Sequence, residues 1–245
     1  MTTDRSTTSG VPSDACGVGR RGGIESGGVE SGGVDRQGAD IEREVEVSEV
    51  DTPHGPARVH LRRPDGVPTG LLMLGPGASG GVTASDLLAA ARVAVSIGMA
   101  AALVEQPYRV AGRKAPAPAA QVDVAWIEVV EQLRRELGEL PLITGGRSFG
   151  SRVACRTSAA TGSAGVLCLA FPTHPPGRPE KSRQAELSGV TVPTLVIQGD
   201  RDPFGIPESS AHCQVLVVAG DHSLKKDLPV IRAAIADWLP QRLAR

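Results

Sequence analysis

The sequence predicts an α/β protein: a mostly parallel central sheet with helices on both faces, an N-terminal antiparallel hairpin and no cap domain. Three observations predict it. Short, near-continuous apolar runs recur along the chain, as in strands buried on both faces. Amphipathic helical stretches separate those runs, the alternation that builds a parallel sheet. Glycine-rich turns fall where several of the runs end, at the sheet edge where such folds bind ligands.

The elements follow in chain order. Residues 1–40 are polar and glycine-rich, with a degenerate repeat in GGIESGGVESGGVDRQG. They hold too few apolar side chains to offset the entropy of ordering, so they read as a disordered tail ahead of a domain over 41–245. IEREVEVSEV alternates apolar and charged residues, and ARVHLRR follows the turn signal DTPHGP, which together predict the hairpin. The later strands are GLLMLG, AAALVEQ, PLITGG, GVLCLAF, TLVIQG and QVLVVAG. Helices are expected around ASDLLAAARVAVSIG, QVDVAWIEVVEQLRREL, SFGSRVACRTSAA, PESSAH and DLPVIRAAIADWLPQRL.

Composition narrows the function classes. A formal net charge of −1 gives no electrostatic footprint for nucleic acid or an anionic membrane surface. No apolar stretch approaches the length of a membrane span, and MTTDRSTTSG lacks the apolar core of a signal peptide, so a cytoplasmic protein is expected. The four cysteines show no C-x-x-C spacing and read as reduced thiols.

The chemistry concentrates at strand ends. PLITGG runs into Gly146-Arg147-Ser148-Phe149-Gly150, a G-x-S-x-G at a strand-to-helix turn, where flanking glycines let the backbone fold sharply and expose the serine Oγ. A serine hydroxyl is a weak nucleophile at neutral pH and needs a base, itself oriented by an acid. DRDPFG follows TLVIQG and offers Asp200 and Asp202; DHS follows QVLVVAG and offers His222. Asp202, at the loop tip beside Pro203, suits a carboxylate that reaches the next loop, whereas Asp200 reads as a turn residue and Asp221 as a brace for the histidine loop. His54 and His60 lie in the hairpin and His212 in an expected helix; His174 alone of these follows a strand at the functional edge.

With these residues in place, the chain over 41–245 resembles the α/β-hydrolase superfamily. It is similar to its compact, capless branch of dienelactone hydrolase-like proteins, and to a branch with testis-expressed and chromatin-complex members. The resemblance implies an acyl-transfer hydrolase with Ser148 as nucleophile, His222 as general base and Asp202 as its orienting acid. It also implies an oxyanion hole made by the backbone N–H of Ala78 or Gly77, in the loop after LLMLG, and that of Phe149. Relatives often carry His-Gly in this loop, where Pro76-Gly77 stands here. No metal or organic cofactor is required.

Two other readings are open to test. Gly75-x-Gly77-x-x-Gly80 fits the dinucleotide fingerprint, with Glu105 as its ribose-binding acid, although Pro76 removes an amide from any phosphate cradle. The fold could also persist in a non-catalytic interaction protein. For the enzyme, Tyr108 and Phe204 are expected to line a substrate pocket, and Arg147 to recognise an anionic substrate group or to pair structurally with Glu105. The twenty or so residues between Phe171 and Thr194 leave no room for a helical lid, which points to a small, soluble, ester-like substrate. The oligomeric state is left open.

Overall fold

In the computed structural model, residues 44–243 are described, and the tail expected over 1–40 lies outside them. An eight-stranded sheet in the order β1-β2-β4-β3-β5-β6-β7-β8 organises this part of the chain. The strands are β1 (Glu46–Val50), β2 (Ala57–Arg62), β3 (Leu71–Gly75), β4 (Ala100–Glu105), β5 (Leu142–Arg147), β6 (Gly165–Leu169), β7 (Thr194–Gly199) and β8 (Cys213–Val218). The helices are α1 (Ser85–Ser96), α2 (Pro107–Val110), α3 (Ala119–Leu137), α4 (Phe149–Thr157), α5 (Gln184–Ser188) and α6 (Leu228–Trp238). β1 and β2 pair antiparallel, with Val50 opposite Ala57, and β2 joins β4 antiparallel. All other neighbours run parallel.

Alternation within the apolar strands distributes the core over both faces of the sheet, since successive side chains point to opposite sides. Leu72 and Leu74 of β3 join Leu103, Ile143 and Ile197 under α1 and α6. Leu71 and Met73 point the other way, to Trp126, Val129 and Leu133 of α3 and to Val59 and Leu61 of β2. A third cluster packs α4 against β6 and β7 and takes Leu187 from α5. The described cysteines, Cys155, Cys168 and Cys213, are free and buried there, and burial raises the Cys213 thiol to about 11.

Three elements differ from expectation. PESSAH is irregular, because most of residues 207–212 are exposed and present no apolar face for a short helix to bury. α2 and α5 form where no helix was expected. α2 starts on Pro107, whose fixed φ suits a first helical position, and α5 is anchored by buried Leu187. At five residues, α5 is the only helix between β6 and β7 and makes no lid.

Candidate active site

The turn from β5 into α4 carries Ser148 at φ 52° and ψ −107°, a left-handed backbone that costs a non-glycine residue energy. Backbone hydrogen bonds hold it: the Ser148 N–H donates to Leu169 O at 2.8 Å. The Ser151 hydroxyl donates to Ser148 O at 2.6 Å. Ser148 is also the N-cap of α4, so its side chain stands at the positive end of the helix dipole. The glycines on either side permit backbone-to-backbone contact with the β3 loop. A Cβ on Gly150 would lie 2.1 Å from Gly75 O and 2.9 Å from Pro76 O, and one on Gly146 would lie 2.4 Å from Gly75 O.

The glycine loop after β3 is therefore pressed against the serine turn at Gly75. Glu105 is turned away, 3.7 Å from both Arg58 and His60 of the hairpin. These two contacts correct the dinucleotide reading.

Ser148, His222 and Asp202 meet at the carboxyl ends of β5, β8 and β7. His222 Nε2 lies 2.9 Å from Ser148 Oγ, and Nδ1 lies 2.8 Å from Asp202 Oδ2. An ionised carboxylate can only accept, so Nδ1 carries the proton toward Asp202, which leaves Nε2 to accept from the serine hydroxyl. Asp202 is 8% exposed and accepts two further bonds, from Gln198 Nε2 at 2.8 Å and from the Phe204 N–H at 2.9 Å. The Phe204 ring sits edge-on to the imidazole, 4.4 Å between centroids, and covers one side of it. His174 lies 6.5 Å beyond Phe204. Asp200 accepts the Gly220 N–H at 2.7 Å, and Asp221 accepts from the N–H and hydroxyl of Ser223, which hold its carboxyl below the usual range. Both aspartates thus shape the histidine loop, while Leu224, fully buried, anchors it in the core.

The loop after β3 lies over Ser148. Gly77 and Gly80 close a turn at 3.1 Å, and a Cβ on Gly77 would come within 3.8 Å of Ser148 Cβ. Among the described residues, the N–H groups of Ala78 and Phe149 have no intrachain hydrogen-bond partner. The Tyr108 hydroxyl donates to Ala78 O at 2.9 Å, and its ring meets Phe149 edge-on at 6.3 Å. Only 4% of Tyr108 is exposed, and burial pushes its phenol up to about 12. It supports the loop from behind, and it also borders a cavity with Gln106, Pro107 and Arg113.

Arg147 departs furthest from expectation. Its Nε lies 2.9 Å from Asp86 Oδ2 of α1, and its Nη2 donates to His222 O at 2.8 Å, so it neither pairs with Glu105 nor offers a free fork to a substrate anion. Burial pushes the Asp86 carboxyl up, and the Arg147 guanidinium pulls it partway back. Asp86 and Gln198 escaped the sequence reading. The only signals were single polar residues inside apolar runs, DLLAAA and TLVIQG, where a buried polar side chain needs a partner. Among the described residues, no cluster of three or more His, Cys, Asp or Glu could hold a metal ion, and no helix is long and apolar enough to cross a membrane.

No curated protein matches the chain. Among solved structures, XC6422 from Xanthomonas campestris, described as an α/β serine hydrolase without lid, superposes with a TM-score of 0.68 at 22% identity, over 82% of this chain and 96% of that one. Est1E from Butyrivibrio proteoclasticus gives a TM-score of 0.68 at 14% identity over 81% and 99%. Dienelactone hydrolase from Anabaena variabilis gives 0.65 at 15% identity over 81% and 97%. These likenesses establish a shared fold. The family model described as the alpha/beta hydrolase domain matches residues 69–228, from the strand before the glycine loop to the first residue of α6, and the chain belongs to that family.

Proposed function

We propose that the protein is a serine hydrolase that cleaves an ester or related acyl bond of a small soluble substrate through an acyl-enzyme. The observation that carries this reading is the continuous relay Ser148 Oγ, His222 and Asp202, at 2.9 and 2.8 Å. Ser148 Oγ attacks the substrate carbonyl carbon as His222 Nε2 takes its proton, and the C=O electron pair moves onto oxygen. The free N–H groups of Ala78 and Phe149, with the α4 N-terminus, stabilise that oxyanion; removal of one such donor costs about 3 kcal/mol in comparable sites. Collapse of the tetrahedral intermediate expels the alcohol oxygen, which leaves with the proton from His222. Water then gives a proton to His222 and its oxygen to the acyl carbon, Ser148 recovers its proton, and the carboxylic acid departs. With only α5 between β6 and β7, the site is open, which favours short, soluble esters over long acyl chains.

Labelling with a fluorophosphonate probe, read by intact mass, tests the reading. Wild type should gain one adduct, absent in Ser148→Ala and His222→Ala, and Ser148→Ala should lower kcat on short nitrophenyl esters by at least about 10,000-fold. A folded wild type that takes no adduct would overturn the hydrolase reading in favour of a non-catalytic interaction protein.

A further inference from the structure

The residue inside G-x-S-x-G that the sequence leaves open to substrate recognition or to a structural pair makes its contacts within the protein, though with a partner other than Glu105. Arg147 is the last residue of β5 and immediately precedes the nucleophile. Its guanidinium contacts two other segments and lies beside a third. Nε lies 2.9 Å from Asp86 Oδ2, at the start of α1. Nη2 donates to the backbone carbonyl of His222 at 2.8 Å. Nη1 lies 3.7 Å from where a Cβ on Gly77 would stand, beside the loop over Ser148. Asp86 is fully buried, and 18% of the Arg147 side chain is exposed, so the pair is held in a restricted environment. Its geometry differs from an ordinary salt link. Arg147 Nε and Asp86 Oδ2 lie close without hydrogen-bond alignment, while the neighbouring Nη2 keeps its bond to His222.

We infer that Arg147, fixed by Asp86, is a positioning residue that sets the His222 backbone, and with it the imidazole, against Ser148. This inference rests on the serine-hydrolase reading. Asp202 and Phe204 constrain the imidazole from its ring side, but neither touches the His222 main chain. Of the contacts that brace the histidine loop, the one from Arg147 also starts beside the nucleophile, so it couples the two reacting residues through a single rigid group. A guanidinium suits this task because its planar fork can meet a carboxylate and a carbonyl at once; an ammonium on a flexible stem satisfies the carboxylate as a point charge.

That difference gives the test. Arg147→Lys keeps the positive charge beside Asp86 and should stay folded, with a Tm within a few degrees of wild type. Asp86→Asn keeps the arginine but loosens its anchor. In both, kcat on a short nitrophenyl ester and the rate of fluorophosphonate labelling should fall about 10- to 100-fold with KM little changed, as expected of a misplaced base. The proton on His222 Nδ1, followed by nuclear magnetic resonance in the absence of substrate, should broaden or shift. A raised KM with unchanged kcat and labelling would overturn the inference in favour of substrate recognition. Unchanged kcat, labelling and Nδ1 signal in folded Arg147→Lys would overturn it in favour of a purely structural ion pair. If wild type itself takes no label, the hydrolase reading fails and the inference fails with it; normal wild-type labelling with unaffected variants removes the inference alone.

Discussion

The turn that carries Ser148 and the loops that carry Asp202 and His222 are immobilised by different means. At the serine turn, backbone meets backbone: Gly146 and Gly150 lie so close to Gly75 that no Cβ fits. At the other two loops one such contact recurs, a Cβ on Gly199 lying 2.6 Å from Asp221 O, but side chains add much of the holding, through Gln198 on Asp202, Asp200 on Gly220, Arg147 on His222 and buried Leu224. Main-chain contact at van der Waals distance cannot relax by a rotamer change, whereas a side-chain hydrogen bond can be weakened by degrees. Ser148 is therefore held mainly by close backbone contact, and Asp202 and His222 in larger part by side chains.

Breaking each region should give a different signature, and the serine turn should give the largest. Gly150→Ala would put a methyl 2.1 Å from Gly75 O, so β3 and α4 must separate. We expect a loss of more than about 4 kcal/mol in urea unfolding, or failure to fold, the scale reserved for severe overpacking of rigid structure. Near-wild-type stability would mean that the β3 loop yields, and the contrast between the regions would collapse.

The loop region should fail more gently and in activity first. Gln198→Leu removes the donor to Asp202 Oδ2 and to Gly205 O, both at 2.8 Å, and leaves a buried acceptor without its partner. A loss of about 1–3 kcal/mol in Tm-derived stability is expected. A kcat fall of about tenfold should accompany it, since Asp202 keeps its bonds from Phe204 N–H and His222 but loses one constraint. A fall in stability with full kcat would show that Gln198 serves the fold alone.

The same contrast explains what the sequence made legible. The serine turn could be read because its geometry demands glycines at fixed offsets, and two glycines around a serine at a strand end form a local pattern. The strand faces could be read because apolar alternation is local too. Asp202 and His222 were legible by their place after β7 and β8. Arg147, Asp86, Gln198 and Tyr108 were misassigned or overlooked because their roles depend on partners 30, 61 or 75 residues distant or on an adjoining loop, as Tyr108 with Ala78, Asp86 with Arg147 and Arg147 with His222 illustrate. Spacing carries no record of such pairs. PESSAH misled for the opposite reason: its residues permit a helix, but the fold leaves no apolar surface there to stabilise one.

Tyr108 offers the finest test, because it is a side-chain support within the region held mainly by backbone contact and is the only tyrosine in the chain. Its hydroxyl donates to Ala78 O at 2.9 Å, tying the loop over the nucleophile to the body of the fold. Burial pushes its phenol up to about 12, with Arg109 drawing it slightly back. The sign follows from linkage: a folded pKa above the unfolded value of about 10 means that the native state keeps its proton longer. The stability contributed by neutral Tyr108 is thus complete below about pH 10 and is lost as pH rises toward 12. Absorbance at the phenolate band reports this one residue, and its titration in native protein should lag that in denaturing urea. Tyr108→Phe should cost about 1 kcal/mol through the lost bond, lower kcat only a few-fold and abolish the absorbance change. Coincident native and denatured titrations would mean that the phenol is open to solvent, and that the loop over Ser148 is held by its contact with the serine turn alone.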